Sequence, residues 1–146
     1  MESSLEFVTN KLNEKAIRPS YQRVKVLEYL YQQKGGHPTV DEIFRALSPG
    51  IPSLSKVTIY NTIHTFVDAG LVRVIDIDDS KLCYDINLTN HGHFLCEACG
   101  KIFNFTIDVN QIPVEGLNQF FIIEKNIYFK GLCPNCIDQA SHNYRE

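Results

Sequence analysis

The 146-residue sequence predicts an α+β protein, with an N-terminal winged helix-turn-helix domain and a small C-terminal α/β domain. Three observations predict this class. Helical patterns with capping residues fill the first 70 residues, two short strand patterns follow, and the more acidic second half carries two Cys-x-x-Cys pairs. The character of the chain changes near residues 82–88, so we place the domains at 1–84 and 85–146.

Four helices are predicted, because apolar residues recur every three or four positions behind a capping residue. Capping boxes of the form S/T-x-x-E open the first helix at Ser3 and the third at Thr39. The second runs over about residues 21–33, and the fourth begins after Ser55 and stops at Gly70. The stretches "LVRVIDI" and "KLCYDI" then predict two strands joined by a turn.

The fourth helix is the candidate recognition helix, because the helix before the hairpin of a winged helix-turn-helix lies in the DNA major groove. Its predicted core-facing residues are Val57, Tyr60, Ile63 and Val67. Its predicted outward residues are Ser55, Lys56, Thr58, Asn61, Thr62, His64 and Thr65. An ordinary amphipathic helix with a hydrated polar face is the alternative interpretation.

The net charge of −3 argues against a generally basic nucleic-acid binder. A local basic patch stands near only one acidic residue, Glu14, and consists of Lys11, Lys15, Arg18, Arg23 and Lys25. Such a patch suits phosphate contacts, and a solvated helix face is the alternative. The candidate DNA-contacting residues are Arg18, Arg23, Ser55, Lys56, Thr58, Tyr60, Asn61 and His64.

The composition also bounds the location of the protein. Apolar residues make up 44% of the chain, enough for a packed core, but no apolar run approaches the roughly 18 residues of a membrane span. The N-terminus lacks the pattern of a signal peptide. We therefore expect a cytoplasmic protein without membrane attachment, whose five cysteines are reduced and form no disulfide framework.

The second half alternates strand patterns with possible short helices. "INLTNHG" is predicted to be a linker, and strands are predicted over 101–107, 120–124 and 127–132. A short helix is predicted around 114–118 and another after Pro134.

Two Cys-x-x-Cys pairs form the most specific motif, Cys96 with Cys99 and Cys133 with Cys136. Each pair has the short reach that holds two corners of a tetrahedron. Four sulfur ligands in a reducing compartment favour Zn²⁺, with an iron–sulfur cluster as the alternative. Because four thiolates leave no open coordination position, we expect this ion to stabilise the fold rather than to catalyse.

A second group of residues offers harder ligands. His91 and His93 lie two residues apart and face the same side of an extended chain, as do Cys83 and Asp85 on the preceding strand. Imidazole and carboxylate together suit Fe²⁺, Mn²⁺ or Zn²⁺. His37 stands alone, and an ordinary loop residue is the alternative there. Cys83 is either a buried apolar filler or an additional ligand.

The motif "HGHFLCEACGKI…CPNC", downstream of "SLSKVTIYNTIHTFVDAGLV", resembles the ferric uptake regulator (Fur) superfamily, and within it the peroxide-sensing PerR branch. The resemblance covers roughly residues 5–138. It implies a homodimer, with the C-terminal domain as the dimerisation domain and the four motif cysteines as structural zinc ligands. It also implies a regulatory site for Fe²⁺ or Mn²⁺ formed by His37, Asp85, His91, His93 and Asn104.

Asn104 departs from the family pattern, because PerR-like sequences usually carry Asp there and Fur-like sequences Glu. Its amide oxygen can coordinate an ion but adds no charge, so we expect a lower affinity for divalent metal. The residue after Tyr60 is Asn61, as in PerR-like sequences, whereas Fur-like sequences commonly have Arg at this position. The short segment between the two cysteine pairs predicts a trimmed dimerisation helix. Participation of Cys83 would favour Zn²⁺ and a zinc-uptake (Zur-like) role.

The implied function is that of a metal-dependent transcriptional repressor that binds a palindromic double-stranded operator. Metal bound by ligands from both domains would fix the angle between them. With iron bound, the resemblance implies that peroxide oxidises His37 or His91 and that the repressor leaves DNA. A Fur- or Zur-type sensor of iron or zinc level is the alternative. A metalloenzyme is the other alternative, but the sequence shows no convincing general base, nucleophile pair or phosphate loop beside the histidines and Asp85. We therefore predict no enzymatic activity.

Overall fold

The computed structural model describes residues 3–78, 81–86 and 91–138. The chain divides into two compact units, Met1–Leu88 and Thr89–Glu146. Within the described ranges, the first unit contains four α-helices and a two-stranded sheet, and the second contains a three-stranded sheet. This architecture confirms the predicted fold class. The same ranges hold no helix with the length and apolar character needed to cross a membrane.

The helices of the first unit each begin behind a hydroxyl side chain. They are α1 (Ser4–Glu14), α2 (Tyr21–Gln32), α3 (Val40–Leu47) and α4 (Lys56–Asp68). The capping hydroxyls accept a hydrogen bond from a first-turn N–H that the helix cannot pair, and belong to Ser3, Ser20, Thr39 and Ser55. The predicted box at Ser3 is complete, because the Glu6 carboxylate accepts in turn from the Ser3 N–H.

One apolar core closes the first unit. It takes Leu12 from α1, Leu27 from α2, Ile43 from α3 and Phe66 from α4, all fully buried. Burial of a side chain of this size stabilises the folded state by about 1.5–3 kcal/mol relative to exposure. Every member of this cluster lies before residue 87, so the core belongs to the first unit alone.

The core-facing side of α4 differs from the prediction. The buried residues are Ile59, Thr62, Ile63 and Phe66. The predicted core residues Val57 and Tyr60 are exposed, and the predicted outward residue Thr62 is buried. The first turn of α4 explains the error, since Val57 lies on the side away from the helices that cover Ile59 and Ile63. An apolar side chain at helical spacing was mistaken there for a core position.

A short antiparallel hairpin follows α4. Strand β1 (Arg73–Ile75) pairs with β2 (Cys83–Asp85), with Arg73 opposite Asp85 and Ile75 opposite Cys83. Both strands are three residues long and therefore shorter than the predicted runs. The tip of the turn, residues 79–80, lies outside the described residues. Helices followed by this hairpin give the order of elements of a winged helix-turn-helix.

The second unit is built on β3 (His91–Cys96), which lies between β4 (Ile102–Thr106) and β5 (Tyr128–Gly131). Strand β3 pairs antiparallel with β4 and parallel with β5. His91 and Gly92 were predicted to end a linker but begin this central strand, so that part of the prediction is wrong. Ile86, the first residue of the predicted linker, follows β2 without regular structure, and residues 87–90 lie outside the described residues.

The two faces of this sheet carry different chemistry. His91 lies opposite Thr106 and His93 opposite Asn104, so these four polar residues share one face. On the other face the rings of Phe105 and Phe129 stack with centroids 4.8 Å apart. A side chain at Gly92 would overlap the Phe105 ring, so only glycine allows this close approach.

The segment between β4 and β5 is largely irregular. The predicted strand over 120–124 and the predicted helix around 114–118 are both wrong, and the helical structure of this segment is limited to a 3-10 turn at Val109–Gln111. A strand needs a neighbour for its N–H and C=O groups, and the described residues provide none for 120–124. Residues 107–127 contain no α-helix, which agrees with the predicted shortening of the dimerisation helix between the two cysteine pairs. After Pro134, residues 134–138 are helical, and the predicted end of that helix lies outside the described residues.

Candidate metal centres

Four cysteine side chains converge at one end of the three-stranded sheet. The Sγ atoms of Cys96, Cys99, Cys133 and Cys136 all lie within 4.8 Å of one another. Cys96 ends β3, and the Glu97 N–H donates to the Gly131 carbonyl, which brings the end of β5 and Cys133 alongside. The two cysteine motifs are therefore joined by the sheet itself.

The geometry of these sulfurs fits a tetrahedral zinc ion. With Zn–S bonds of about 2.3 Å, neighbouring sulfurs of a tetrahedron are about 3.8 Å apart. Here the Sγ atoms of Cys99 and Cys133 are 3.9 Å apart. Gly100, with φ of +75°, turns the chain back after Cys99, as a tight ligand loop requires.

The pKa values of the cysteine thiols also indicate a site for a cation. The N–H groups of Cys133 and Cys99 donate to the Cys96 sulfur, which lowers the pKa of Cys96 to about 6. Hydrogen bonding to Cys133, with burial, raises the pKa of Cys136 to about 12. Without an ion, these sulfurs compete for protons, whereas a divalent cation favours the thiolate form of all four.

His91 and His93 form a pair on β3. Their Nε2 atoms are 3.1 Å apart, and His93 is only 2% exposed. Two nitrogens bound to the same ion at about 2.1 Å are separated by about 3.0–3.4 Å, so the pair fits two neighbouring coordination positions. Tyr128 of β5 lies on the same face, with its ring centroid 6.1 Å from that of His93. No local pattern in the chain points to Tyr128, because the parallel pairing of β5 with β3 joins distant segments.

His37 and Asp85 form a second pair, within the first unit. The His37 Nε2 and Asp85 Oδ2 atoms are 3.9 Å apart, and the side chains are almost completely buried. The Tyr84 N–H donates to the Pro38 carbonyl, which holds the loop of His37 beside β2. The sequence separates these residues by 48 positions, yet the fold of this unit brings imidazole and carboxylate together.

Cys83 lies apart from both sets of ligands among the described residues. It is buried on β2, and burial is the main cause that raises the pKa of its thiol. A buried neutral thiol is a poor nucleophile and a poor ligand. These properties favour the role of apolar filler.

The outward surface of α4 carries most of the candidate DNA contacts. Lys56, Tyr60, Asn61 and His64 are exposed along one side of this helix. The Lys56 Nζ lies 3.0 Å from the Asp41 Oδ1 of α3. Ser55 caps the helix, and its hydroxyl lies 2.9 Å from that of Thr58. Arg23 donates to the Arg18 carbonyl, which fixes the turn before α2.

Comparison with known proteins decides the family. The sequence profile of the Ferric uptake regulator family matches residues 14–129. The chain belongs to the Fur family.

Relatives within the Fur family extend over nearly the whole chain. The peroxide-responsive repressor PerR of Staphylococcus aureus strain Mu50 is 37% identical over 142 residues, 95% of each chain. The structure of PerR from Streptococcus pyogenes, described as a basis for peroxide sensing and gene regulation, is similar with a TM-score of 0.52 and 34% identity, covering 93% of this chain and 94% of that one. Fur of Helicobacter pylori shares the fold, with a TM-score of 0.69 at 22% identity and 91% coverage of each chain.

The donor sets of this Fur-family chain suit two different kinds of metal ion. Four thiols suit structural zinc, and imidazole with carboxylate suits regulatory Fe²⁺ or Mn²⁺. A further similar structure, 34% identical with a TM-score of 0.51, is described as GAS PerR-Zn-Zn. Asn104 lies directly opposite His93, so its side chain is on the histidine face of the sheet. Asn104 therefore lies on the same face of the sheet as the two imidazoles.

Proposed function

We propose that this chain is a homodimeric, metal-dependent DNA-binding repressor of the PerR type. The observation that carries the proposal is the presence of two chemically different ligand sets in one Fur-family chain. One set is a closed group of four thiols, and the other consists of the pairs His37–Asp85 and His91–His93. A closed site stabilises structure, whereas a nitrogen and oxygen set with open positions can exchange its ion and report on it.

Residues 1–84 form the DNA-binding domain in this proposal. Helix α4 reads the major groove through Ser55, Lys56, Thr58, Tyr60, Asn61 and His64, and Arg18 and Arg23 contact phosphates. Residues 85–146 form the metal-binding dimerisation domain. Two-fold symmetry of the dimer requires a palindromic operator, with the two half-sites on successive major grooves. Its place of action is the cytoplasm, where DNA is present and thiols stay reduced.

Dimerisation is supported by the apolar surface of the second unit. Phe121 is 91% exposed and Ile123 is 90% exposed, in a segment that pairs with no strand among the described residues. Fully exposed aromatic and β-branched side chains in succession are typical of a surface that a partner covers. A second copy of the chain, with its own segment 120–124, supplies that partner.

Metal controls DNA binding through the placement of its ligands. His37 and Asp85 belong to the first unit, and His91, His93 and Asn104 belong to the second. Metal that takes ligands from both units favours the arrangement of domains that offers all of them. The domains of the dimer are then held at the spacing that fits the operator, and loss of metal releases this constraint.

Peroxide sensing follows from the same ligands. Bound Fe²⁺ supplies the one-electron chemistry that activates peroxide, which Mn²⁺ does not provide. In this proposal the O–O bond of peroxide breaks, a ring C–H of His37 or His91 becomes C–OH, and the displaced hydrogen leaves with the second oxygen as water. The oxidised ring is a poorer ligand, so the regulatory ion is lost and the operator is released.

The direct test of the metal switch is operator affinity with and without Mn²⁺, measured on a duplex selected by the protein from a random-sequence pool. We expect Mn²⁺ to tighten binding at least tenfold in the parent protein, and His91→Ala and Asp85→Asn to abolish the effect. Asp108→Asn is the matched control, because Asp108 is exposed and only caps the 3-10 turn. Equal affinity of the parent with and without metal would exclude the switch.

Peroxide sensing has its own measurement. After exposure to peroxide, mass spectrometry of the iron-loaded protein should find one added oxygen on the peptide of His37 or His91, and the manganese-loaded protein should show none. Oxygen found only on cysteines would replace histidine oxidation with thiol chemistry.

A Fur- or Zur-type sensor of metal level is the second candidate, and Asn104 favours it. With Asn104, the regulatory set carries a single carboxylate, that of Asp85, so Fe²⁺ is held less tightly. Parallel titrations with Fe²⁺, Mn²⁺ and Zn²⁺ separate the two functions. Selective DNA binding with one metal and no histidine oxidation would support the metal-level sensor.

A further inference from the structure

Tyr128 lies beside the histidine pair on the three-stranded sheet. It is the direct neighbour of His93 across the pairing of β3 with β5, and the two ring centroids are 6.1 Å apart with planes inclined at 56°. Asn104 is the direct neighbour of His93 on the other side, in β4. On its own face of the sheet, His93 is therefore flanked by one amide and one phenol, and all three residues belong to the second unit.

The two flanking side chains differ in how readily they are oxidised. The hydroxyl of a tyrosine releases electron density into the ring, so strong oxidants attack the ring carbons next to it, whereas the amide of asparagine resists them. Tyr128 is half-buried, while Tyr21 is 63% exposed and Tyr60 is 52% exposed. Exposure alone would make Tyr128 a poorer target than these two tyrosines. Its position beside the histidine pair has the opposite effect, because a group held next to a reacting centre reacts preferentially.

We propose that Tyr128 is an oxidation site of the regulatory centre, where its ring takes oxygen that would otherwise go to a ligand histidine. The inference rests on the proposed peroxide sensing, because it uses the same Fe²⁺ and the same peroxide. The O–O bond of peroxide breaks, a ring C–H beside the hydroxyl of Tyr128 becomes C–OH, and the displaced hydrogen leaves with the second oxygen as water. One peroxide is used for each hydroxylated ring, and no further reductant is needed.

Oxygen taken up by Tyr128 leaves the proposed ligand set intact. Tyr128 is not one of the proposed ligands, so its hydroxylation removes none of them, whereas oxidation of His37 or His91 does. The tyrosine and the histidines compete for the same oxidant when peroxide is limiting. This competition raises the amount of peroxide needed for release from the operator, so Tyr128 sets the sensitivity of the switch.

The first measurement locates the added oxygen by mass spectrometry after the zinc- and iron-loaded protein has reacted with limiting peroxide. Trypsin releases residues 126–130 as one peptide, which carries Tyr128 and Phe129 together. Phe129 is an internal control, because it lies on the opposite face of the sheet, stacks on Phe105 and is 52% exposed. We expect fragment ions to place oxygen on Tyr128 at least about tenfold more often than on Phe129.

Two comparisons separate oxidation at the centre from attack by a diffusing oxidant. A diffusing oxidant modifies aromatic rings according to their exposure, so it would favour Tyr21 and Tyr60 over Tyr128. The manganese-loaded protein, treated with the same peroxide, should carry no added oxygen on Tyr128. Modification of Tyr128 at or below the level of Tyr21, or to the same extent with both metals, would overturn the inference.

Tyr128→Phe tests the competition at equal iron content. Phenylalanine keeps a ring beside His93 but lacks the hydroxyl that activates it, so oxygen carried by Tyr128 in the parent should appear on His37 or His91. Release from a duplex selected from a random pool, followed by fluorescence anisotropy, should then shift to lower peroxide. Tyr21→Phe is the matched control, because it makes the same change at an exposed position of α2, and it should behave as the parent does.

The outcomes distinguish this inference from the proposed function. Unchanged histidine oxidation in Tyr128→Phe would overturn the inference. Oxygen on His37 or His91 of the parent with none on Tyr128 would also overturn it and would leave peroxide sensing standing. If the iron-loaded parent gained oxygen on neither the histidines nor Tyr128, the proposed peroxide sensing would fail, and the role of Tyr128 with it.

Discussion

The two units of the molecule differ in how much apolar surface they bury. The first unit buries its apolar residues in one continuous core around Phe66. Among the described residues of the second unit, the buried apolar set is limited to Leu95, Cys96 and Cys133. Its large aromatic and aliphatic side chains remain on the surface, as Phe121 and Phe129 show. The first unit is therefore stabilised by packing, whereas we expect the second to depend on the proposed zinc ion and on the proposed dimer partner.

Because of this difference, we expect removal of metal or of a partner to affect the two units differently. A small sheet without its own core is the kind of structure that a metal ion or oligomerisation completes. A helical unit with a complete core needs neither to fold. Removal of zinc or of the partner should thus act on the second unit and leave the first folded.

Loss of a zinc ligand should have the largest effect. In Cys96→Ser the four-thiolate site cannot form, and structural zinc contributes about 10–16 kcal/mol to folding in small zinc domains. We expect zinc to fall from about one ion per chain to near zero, with loss of amide protection in β3 and β5. Elemental analysis and hydrogen exchange measure both quantities.

Cys83→Ala is the control for this variant, because Cys83 is buried outside the four-cysteine group. It should retain zinc. If Cys96→Ser lost amide protection equally in α2 and α4, the two units would not be independent, and the comparison would be wrong.

Truncation of the helical core should have the next largest effect, and in the opposite unit. Phe66→Ala leaves a cavity at a fully buried position, which should lower the free energy of unfolding by about 3–5 kcal/mol. Chemical denaturation monitored by circular dichroism gives this value. Zinc content should be unchanged, and Val57→Ala, at an exposed position of the same helix, should cost about 0.5 kcal/mol or less.

A charge in the exposed segment of the second unit should weaken the dimer. Phe121→Glu places a carboxylate in the proposed interface, and we expect the dissociation constant to rise about 30- to 1000-fold. Sedimentation velocity over a range of protein concentrations measures this change. Leu5→Glu, at an exposed apolar position of α1, is the matched control. Equal dissociation of both variants would place the interface elsewhere.

The smallest predicted effect concerns the regulatory ligands. Asn104→Asp adds a carboxylate on the histidine face of the sheet, and we expect Mn²⁺ to bind about tenfold more tightly. Metal titration by calorimetry measures the change. Asn110→Asp adds the same charge on the exposed 3-10 turn, where Asn110 accepts from Lys125, and should have no effect on Mn²⁺. If neither variant bound Mn²⁺ more tightly than the parent, position 104 would be excluded as a ligand.

The sequence predicted best what depends on near neighbours. Capping hydroxyls such as Ser3 and Thr39 act on residues three positions away, so their pattern is visible in the chain. The four cysteines were found for the same reason, since each pair carries its own spacing. The side of α4 that faces the core was less predictable, because Val57 has the right spacing but lies where no other helix covers it.

Features that depend on distant segments were missed. The predicted strand over 120–124 has the composition of a strand, but pairing decides the structure, and the described chain offers it no neighbour. The parallel pairing of β5 with β3, which places Tyr128 beside His93, joins residues that no local pattern relates. The His37–Asp85 pair likewise requires the loop before α3 to lie against β2.

Gly92 couples the two faces of the three-stranded sheet. It separates His91 from His93 on one side of β3 and receives the Phe105 ring on the other. Any larger residue there would push the aromatic ring outward and twist the strand that aims both imidazoles. An engineer who wishes to retune the ion preference of this protein can exchange the histidines, but the spacer between them is not available for redesign.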